Sequence, residues 1–515
     1  MKAFLMYRDR DFALSDPDPN NAPELTQDLD LATLFAAMAA GDEFLLGVAK
    51  KAVFNALQEP EAIVYRQQIL ADCLQHSNIA RELYTIAVDG VECDRKVWAS
   101  ILGRTPEGVL YRSVELLQLF LGVLRRLKNA ASAHIGEFRS DGLTRFFQMI
   151  AGELDDDFLM VVADHLERLN FRDGLLISAQ LGEGNKGDQY VLLKTPQARQ
   201  TWAERIHTWM EEITHRSASK YTYEIADRDE AGFRALSDLK GQGLSSIAVA
   251  LAQSTEHILS FFTMLRTELA FYVGCLNLSE RLAGKGEPIC FPKPLPLSER
   301  VFSAHGLYNV SLTLNMGTRA IGNDVVAHRK RLVMITGANR GGKSTFLRSI
   351  GLAQMMMQCG MFVAANSFHA NICDGVFTHF KREEDAMMKS GKLDEELSRM
   401  SKLIDRLRSN GLILLNESFA STNEREGSDI AMQMLRALLE CGIKVFYVTH
   451  LFDLAHRLYL SRREDSLFLR AERLENGQRT YRLVEDEPLR TSYAEDLYNR
   501  IFQTTQGASE LNPVK

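Results

Sequence analysis

Residues 337–344 read GANRGGKS, a match without gaps to the pattern GxxxxGK[ST]. In this pattern glycines free backbone N–H groups to surround phosphate oxygens, the lysine brings positive charge to the β and γ oxygens, and the final hydroxyl can ligate magnesium. An apolar run precedes the motif and an amphipathic run follows it, as this chemistry requires; an ordinary glycine-rich turn is the alternative. We therefore expect a nucleotide's phosphates to lie against Gly337, Ala338, Asn339, Arg340, Gly341, Gly342 and Lys343, with Ser344 at the metal.

A second candidate position is the end of the apolar run LILL, where Asn416 and Glu417 follow. Asp-Glu is usual where such a strand ends beside magnesium. A carboxylate about 4 Å from a divalent ion gains roughly 8 kcal/mol gross at an effective dielectric near 20, most of it offset by desolvation. Asn416 keeps a carbonyl oxygen for a magnesium-bound water, so we expect weaker Mg²⁺ and nucleotide binding rather than a dead site.

Glu417, one residue later, could orient or deprotonate an attacking water. The alternative for Asn416 and Glu417 is that they are only the polar end of a buried strand. His450 follows a third apolar run, VFYVT, and could sense the γ-phosphate. A lone histidine in this position is as readily a hydrogen-bonded core residue.

These candidate positions all follow apolar runs that alternate with helical patterns, one of them over roughly residues 424–440. Alternating strands and helices build a mostly parallel sheet, and the ligand sites of such sheets lie beyond the carboxyl ends of the strands. We therefore expect Lys343, Glu417 and His450 to lie at such ends, in an α/β domain with a mainly parallel sheet.

The pattern of the chain changes at the proline-rich stretch EPICFPKPLP, residues 287–296. Before it, helical periodicity dominates, interrupted by two short alternating runs at 174–193 that predict a β-hairpin. Residues 1–24 are polar and broken by prolines. The sequence thus predicts a multidomain protein: a flexible arm over 1–24, a mostly α-helical region over 25–297 with a small insertion near 170–235, and the α/β domain over 298–515.

Composition narrows the class of protein. The 515 residues are 46% hydrophobic and 25% charged, typical of a globular chain, and the net charge of −7 argues against coating nucleic acid by bulk electrostatics. Seven cysteines without a CxxC pattern, and no basic leader before an apolar run, favour a cytoplasmic setting. No stretch reads as a membrane span, so we expect no membrane partner.

Several segments resemble the MutS family of ATPases, in the same order and at similar spacing. The resemblance extends over about residues 28–500 and is strongest in the last 200. The segments are ITGANRGGKSTFLRSIGLAQMMMQCGMFVAA, DGVFTHF, LILLNESFASTNEREGSDIAMQMLRALL and VFYVTHLFDLA, with weaker similarity in YRQQILADCL, MLRTELAFYVGCLNLSERLAGKGEPICFP and LRTSYAEDLYNRI.

The resemblance implies an ATPase that uses ATP and Mg²⁺, with composite nucleotide sites formed across a homodimer interface. Lys343, Ser344 and Thr345 would hold the phosphates and the metal. Glu417 would be the catalytic carboxylate, and His450 matches the family's Thr-His motif. The 25–297 region would be the family's helical core and lever, and the C-terminal segment would take part in dimerisation.

The resemblance also places Gly322, Asn323 and Asp324 near the adenine, and the hairpin around Gly184 at the position of a clamp that closes on DNA. There are two departures besides Asn416. Only the short arm precedes residue 25, so we expect the family's mismatch-reading domain to be missing. The signature loop reads SGKLDEELSRM, in which the family's serine after the glycine does not align at Gly391 unless Ser390 replaces it.

We therefore expect a slow, switch-like ATPase on a dimeric clamp, acting on structured, branched or damaged DNA and with repair or recombination proteins, rather than reading mismatches. DNA would be recognised by backbone and shape. The alternative is a nucleotide-gated protein scaffold that does not bind DNA. A small-molecule kinase would need an acceptor-binding lid, and no segment suggests one.

Overall fold

The structure is a computed structural model that describes residues 1–97, 105–169, 177–181, 187–192, 230–382, 391–474 and 477–490. The helices of these residues are α1 Ala22–Leu29, α2 Leu31–Ala39, α3 Glu43–Phe54, α4 Pro60–Gln75, α5 Ser77–Lys96, α6 Pro106–His134, α7 Asp141–Glu153, α8 Asp156–Arg168, α9 Glu230–Ala283, α10 Val310–Asn315, α11 Lys343–Gln358, α12 Lys392–Ile404, α13 Glu424–Glu440 and α14 Phe452–Leu460. The strands are β1 Ile177–Leu181, β2 Gly187–Leu192, β3 Lys293–Leu295, β4 Phe302–Leu307, β5 Asn323–Val326, β6 Leu332–Gly337, β7 Ser367–Asn371, β8 Val376–Phe380, β9 Leu412–Asn416, β10 Lys444–Val448, β11 Ser466–Arg473 and β12 Arg479–Glu485.

The chain forms two compact units. The first contains Met1–Lys2, Leu83–Ile135 and Phe147–Arg266, and the second contains Ala3–Glu82, Gly136–Phe146 and Thr267–Lys515. Each unit is assembled from segments that are distant in sequence. The sequence had predicted an arm over 1–24 and consecutive regions over 25–297 and 298–515.

In the first unit, α5 and α9 approach each other closely at Gly90, where an added Cβ would lie 2.4 Å from the ring of Phe262. The same unit contains the predicted hairpin, in which β1 and β2 pair antiparallel with Ile177 opposite Leu192. Most of the insertion expected near 170–235, including the residues around Gly184, lies outside the described residues, and so does the C-terminal segment from residue 491.

A six-stranded sheet in the second unit carries the candidate site. Its order is β12-β11-β6-β10-β9-β8, and every neighbouring pair is parallel except β11 with β12. The central strands are buried on both faces, which explains their continuous apolar runs. Leu414 faces α11, because an added Cβ on Gly351 would lie 2.7 Å from it, whereas Leu415 joins the core under α13 and α14.

A second sheet of four strands, in the order β3-β7-β4-β5, was not foreseen from the sequence. It combines parallel and antiparallel pairings. The fold is therefore helical with mixed sheets, and the expectation of one mainly parallel sheet describes only the centre of the larger sheet. The difference arises because β12 pairs antiparallel at the edge of the larger sheet, while β3, β4, β5 and β7 form a separate sheet.

The N-terminal segment is packed, although its prolines and polar residues had suggested a flexible arm. Leu5 and Phe12 are buried, and the buried carboxylate of Glu268 accepts their backbone N–H groups at 2.6 and 3.1 Å. Tyr272 donates its hydroxyl to the carbonyl of Leu5. These partners lie more than 250 positions away along the chain, so local polarity could not reveal them.

The portion Leu244–Ala283 of α9 is long and apolar enough to cross a membrane by length and composition, whereas no stretch of the sequence had been read as a membrane span. Two thirds of its most apolar window (67%) is buried within the protein itself. Such burial is typical of a core helix, whose apolar surface packs on neighbouring elements.

Candidate functional site

The glycine turn, residues 337–342, connects β6 to α11 and is shaped by backbone conformations that favour glycine. Gly337 and Gly342 have φ of 108° and 87°, and Arg340 is also left-handed, at 57°. The turn lies tightly against β11: an added Cβ on Gly341 would lie 2.7 Å from the Cβ of Ala471. The turn therefore leads directly into the N-terminus of α11, where free N–H groups and the helix dipole favour an anion.

Lys343, the first residue of α11, is buried and folds back over this turn. Its Nζ donates to the carbonyls of Gly337 and Ala338 at 2.9 and 2.8 Å. Burial lowers the pKa of Lys343 to about 8, opposed by the charge of Glu417 and reinforced by that of Arg479. A desolvated ammonium at this point has a strong electrostatic preference for an anionic ligand.

Ser344 and Asn416 meet at the start of α11, although they are 72 positions apart. The hydroxyl of Ser344 donates to Oδ1 of Asn416 at 2.8 Å. Asn416 is also the last residue of β9, and its backbone carbonyl accepts the N–H of Lys381 at 2.9 Å. The position that the sequence assigned to the metal therefore contains one hydroxyl and one amide oxygen side by side. Thr345 follows in the first turn of α11, half-buried.

Glu417 and His450 form a pair beside the glycine turn. Glu417 Oε1 lies 3.2 Å from Nε2 of His450, and both side chains are about 30% exposed, at 31% and 29%. The hydrogen bond with His450 lowers the pKa of Glu417 despite its partial burial, and the charges of His450, Lys343 and Lys381 act in the same direction. The carboxylate is therefore ionised at neutral pH.

Asn323, which the resemblance placed near an adenine, uses its side-chain amide to join β5 to β12. Its Nδ2 donates to the carbonyl of Tyr481 at 3.1 Å, and its Oδ1 accepts the N–H of Leu483 at 2.7 Å. Asp324 binds the backbone N–H of Gly306. Both side chains thus hold strands together in this structure.

Sequence reasoning missed two residues of β12. Arg479 donates from Nε to the carbonyl of Asn339 at 2.9 Å, and Tyr481 is a half-exposed aromatic residue with φ of 59° beside Gly342. Only the pairing of β12 with β11 brings them to the glycine turn, so no local signal could have identified them. Ser390 lies outside the described residues, and Gly391 precedes α12.

The structure thus brings Lys343, Ser344, Asn416, Glu417 and His450 together at the carboxyl ends of β6, β9 and β10. The oxygen atoms of Ser344 and Asn416 fit a nucleotide with Mg²⁺. Mg²⁺ takes oxygen ligands and is usually held by a few protein groups together with waters and the phosphates of the substrate, without an all-protein cage. The described residues contain no group of three or more His, Cys, Asp or Glu side chains able to hold a metal.

Comparison with known proteins places this site in a defined domain. Residues 333–497 match the family model of MutS domain V, and residues 58–285 match that of the MutS2 N-terminal domain. These two matches define a class of protein in which a helical region of the MutS2 type precedes MutS domain V. The chain belongs to the MutS family.

Individual relatives match shorter segments. The DNA mismatch repair protein MutS of Thermotoga maritima is 33% identical over 133 residues, which is 26% of this chain and 17% of that protein. Endonuclease MutS2 of Thermus thermophilus is 32% identical over 175 residues, which is 34% of this chain and 23% of that protein. The chain thus spans about a fifth of the length of the curated relatives it matches.

Proposed function

We propose that this protein binds ATP with Mg²⁺ at the glycine turn and hydrolyses it slowly, to switch a homodimeric assembly on DNA. The observation that carries the proposal is the meeting of Ser344, Asn416, Glu417 and His450 around the N-terminus of α11, with Lys343 buried beneath the glycine turn. Membership of the MutS family supports the DNA-repair setting.

Each residue would have a defined role in this reaction. Backbone N–H groups of the glycine turn and the ammonium of Lys343 would bind the phosphates, and Lys343 would exchange two neutral carbonyl partners for charged oxygens. Ser344 and Asn416 would hold Mg²⁺, directly and through water. When bound, Mg²⁺ would supply charge neutralisation on the phosphates. Asn416 contributes an oxygen without a charge, so we expect the metal to be held less tightly than by aspartate.

Glu417 would orient the attacking water and accept its proton, with His450 holding the carboxylate in place. The hydrogen bond that fixes Glu417 also lowers its pKa, which makes it a weaker base. Slow turnover is therefore the expected consequence of this arrangement. His450 would be freed to contact the γ-phosphate if nucleotide binding draws Glu417 toward water.

The DNA partner would be structured, branched or damaged duplex, recognised by shape and backbone, together with repair or recombination proteins. The name of the relative from Thermotoga maritima, a DNA mismatch repair protein, supports DNA repair. A nucleotide-gated protein scaffold is the second candidate. It is favoured by the neutral Ser344–Asn416 pair and by the engagement of Glu417 with His450.

The test is ATP turnover by the purified protein, with and without duplex, single-stranded and branched DNA, using Glu417→Gln as the blank. Turnover above the blank that responds to one form of DNA would support the switch. Turnover no better than the blank, together with binding that ignores DNA and salt, would refute it in favour of the scaffold, because phosphate contacts make DNA binding strongly salt-dependent.

A further inference from the structure

Glu396, on α12, has a buried carboxylate. It was not a candidate residue from the sequence, and it has no role in the proposed reaction. It is 3% exposed, and its Oε1 accepts the backbone N–H of Phe419 at 2.6 Å. Its other oxygen, Oε2, is buried without a hydrogen-bond partner among the described residues. Burying a carboxylate is costly, so a single short bond to one backbone N–H indicates a specific structural task.

The N–H that Glu396 holds belongs to a strained turn that carries Glu417. Glu417 and Phe419 are both left-handed, with φ of 55° and 64°, and neither is glycine. Such conformations persist when surrounding contacts enforce them, and they cluster at functional sites. Glu417 is additionally fixed by its own N–H, which donates to the carbonyl of Val448 at 2.8 Å.

Other elements hold the middle of this turn through Ser418. The hydroxyl of Ser418 is 2.7 Å from Nδ1 of His379, and the hydroxyl of Tyr447 donates to the carbonyl of Ser418. His379 also binds α12, since its Nε2 lies 3.2 Å from the carbonyl of Glu396. Glu396 is thus bound to this turn twice, once by its side chain at Phe419 and once through His379.

We propose that Glu396 is a positioning residue for Glu417: its carboxylate fixes the Phe419 end of the turn, and thereby sets the direction of the Glu417 side chain toward the glycine turn. The effect on catalysis rests on the proposed ATPase function. The hydrogen bonds of Glu396 within the described part of the chain go to Phe419 and His379 and not to the glycine turn or His450. Its loss should therefore alter the chemical step and leave nucleotide binding unchanged.

Three substitutions of Glu396 separate positioning from folding. Glu396→Ala removes the acceptor, Glu396→Asp withdraws it by one methylene, and Glu396→Gln keeps an oxygen at the same reach. Asp394→Ala, an exposed acid on the first turn of the same helix, is the matched control. If Glu396→Ala does not fold, as judged by its thermal transition, Glu396→Asp takes its place.

The first measurement is steady-state ATP turnover. We expect Glu396→Ala and Glu396→Asp to lower kcat by about 10- to 100-fold with KM changed less than about twofold, because small misplacements of a catalytic group cost rate rather than ground-state binding. Glu396→Gln should recover kcat to within about threefold of wild type, and Asp394→Ala should match wild type. Equal loss in Glu396→Gln and Glu396→Ala, or a loss confined to KM, would overturn the proposal.

The second measurement is amide hydrogen exchange at Phe419 and, as a reference, at Leu414 in β9. Glu396→Ala and Glu396→Asp should accelerate exchange at Phe419 by about tenfold or more without changing Leu414, whereas Glu396→Gln should not. This readout does not need turnover. An inactive wild type with the expected exchange would therefore refute only the ATPase, and unchanged exchange at Phe419 would refute the positioning role itself.

Discussion

Raising the pH should weaken ATP binding through one side chain, Lys343. In the nucleotide-free protein, burial lowers the pKa of Lys343 to about 8 from an ordinary value of 10.5. Phosphate oxygens beside Nζ favour the charged ammonium and would raise this pKa again. The bound state therefore needs a proton that the free protein progressively loses above pH 8, so affinity is highest below this pH and falls as the pH rises through it.

The size of the effect follows from the pKa shift. Returning the pKa from about 8 to 10.5 corresponds to at most about 3 kcal/mol between low and high pH. Between about pH 7.5 and 9 the apparent Kd should rise roughly eightfold, which is the ratio of deprotonation factors for a group of pKa 8. At about pH 9, binding should take up about 0.9 proton per nucleotide, because nine tenths of the free Lys343 is then neutral.

The assay is isothermal titration calorimetry of ATP binding at about pH 9, where the proton uptake is expected, in two buffers with different ionisation enthalpies. Lys343→Arg is the control, since its guanidinium stays charged. We expect this variant to show no proton uptake and an affinity that does not change between neutral and alkaline pH, whatever its absolute value. Negligible uptake by the wild type, or equal uptake by Lys343→Arg, would refute the assignment of this proton to Lys343.

Three further predictions test other parts of the structure. Asn416→Asp should tighten Mg²⁺ binding in the nucleotide complex by about tenfold or more and raise turnover; a magnesium titration with unchanged affinity would contradict the assigned metal position. Gly427→Ala should destabilise the protein by about 1–3 kcal/mol, because the new Cβ would lie 2.4 Å from the carbonyl of Phe419. Gly122→Ala, in an open helical position, should be neutral or stabilising in the same denaturation assay. Burial raises the pKa of Glu268 from 4.5 to about 7. The stability that its bound proton contributes, at most about 3 kcal/mol, is therefore full below pH 4.5 and is lost as the pH rises through 7. Glu268→Gln should remove this pH dependence from the free energy of unfolding, and an unchanged profile would show that Glu268 does not titrate in this range.

Local patterns were enough to place the central strands of the larger sheet. Continuous apolar runs ahead of Gly337, Asn416 and His450 predicted buried strands, and β6, β9 and β10 are those strands. The helix after the glycine turn follows from the same local pattern. The smaller sheet was missed, because its short strands lack such runs and are defined by their pairing with one another.

By itself the sequence determined the glycine turn and the identity of the polar residues that end the strands, because these depend on residue types at neighbouring positions. Only the tertiary structure decided that Lys343 is buried, that Ser344 donates to Asn416, and that Glu396 reaches the backbone of Phe419. It also turned the expected N-terminal arm into a segment bound by Glu268. Burial and hydrogen-bond partners across such sequence distances arise from the packing of whole elements, which local periodicity does not specify.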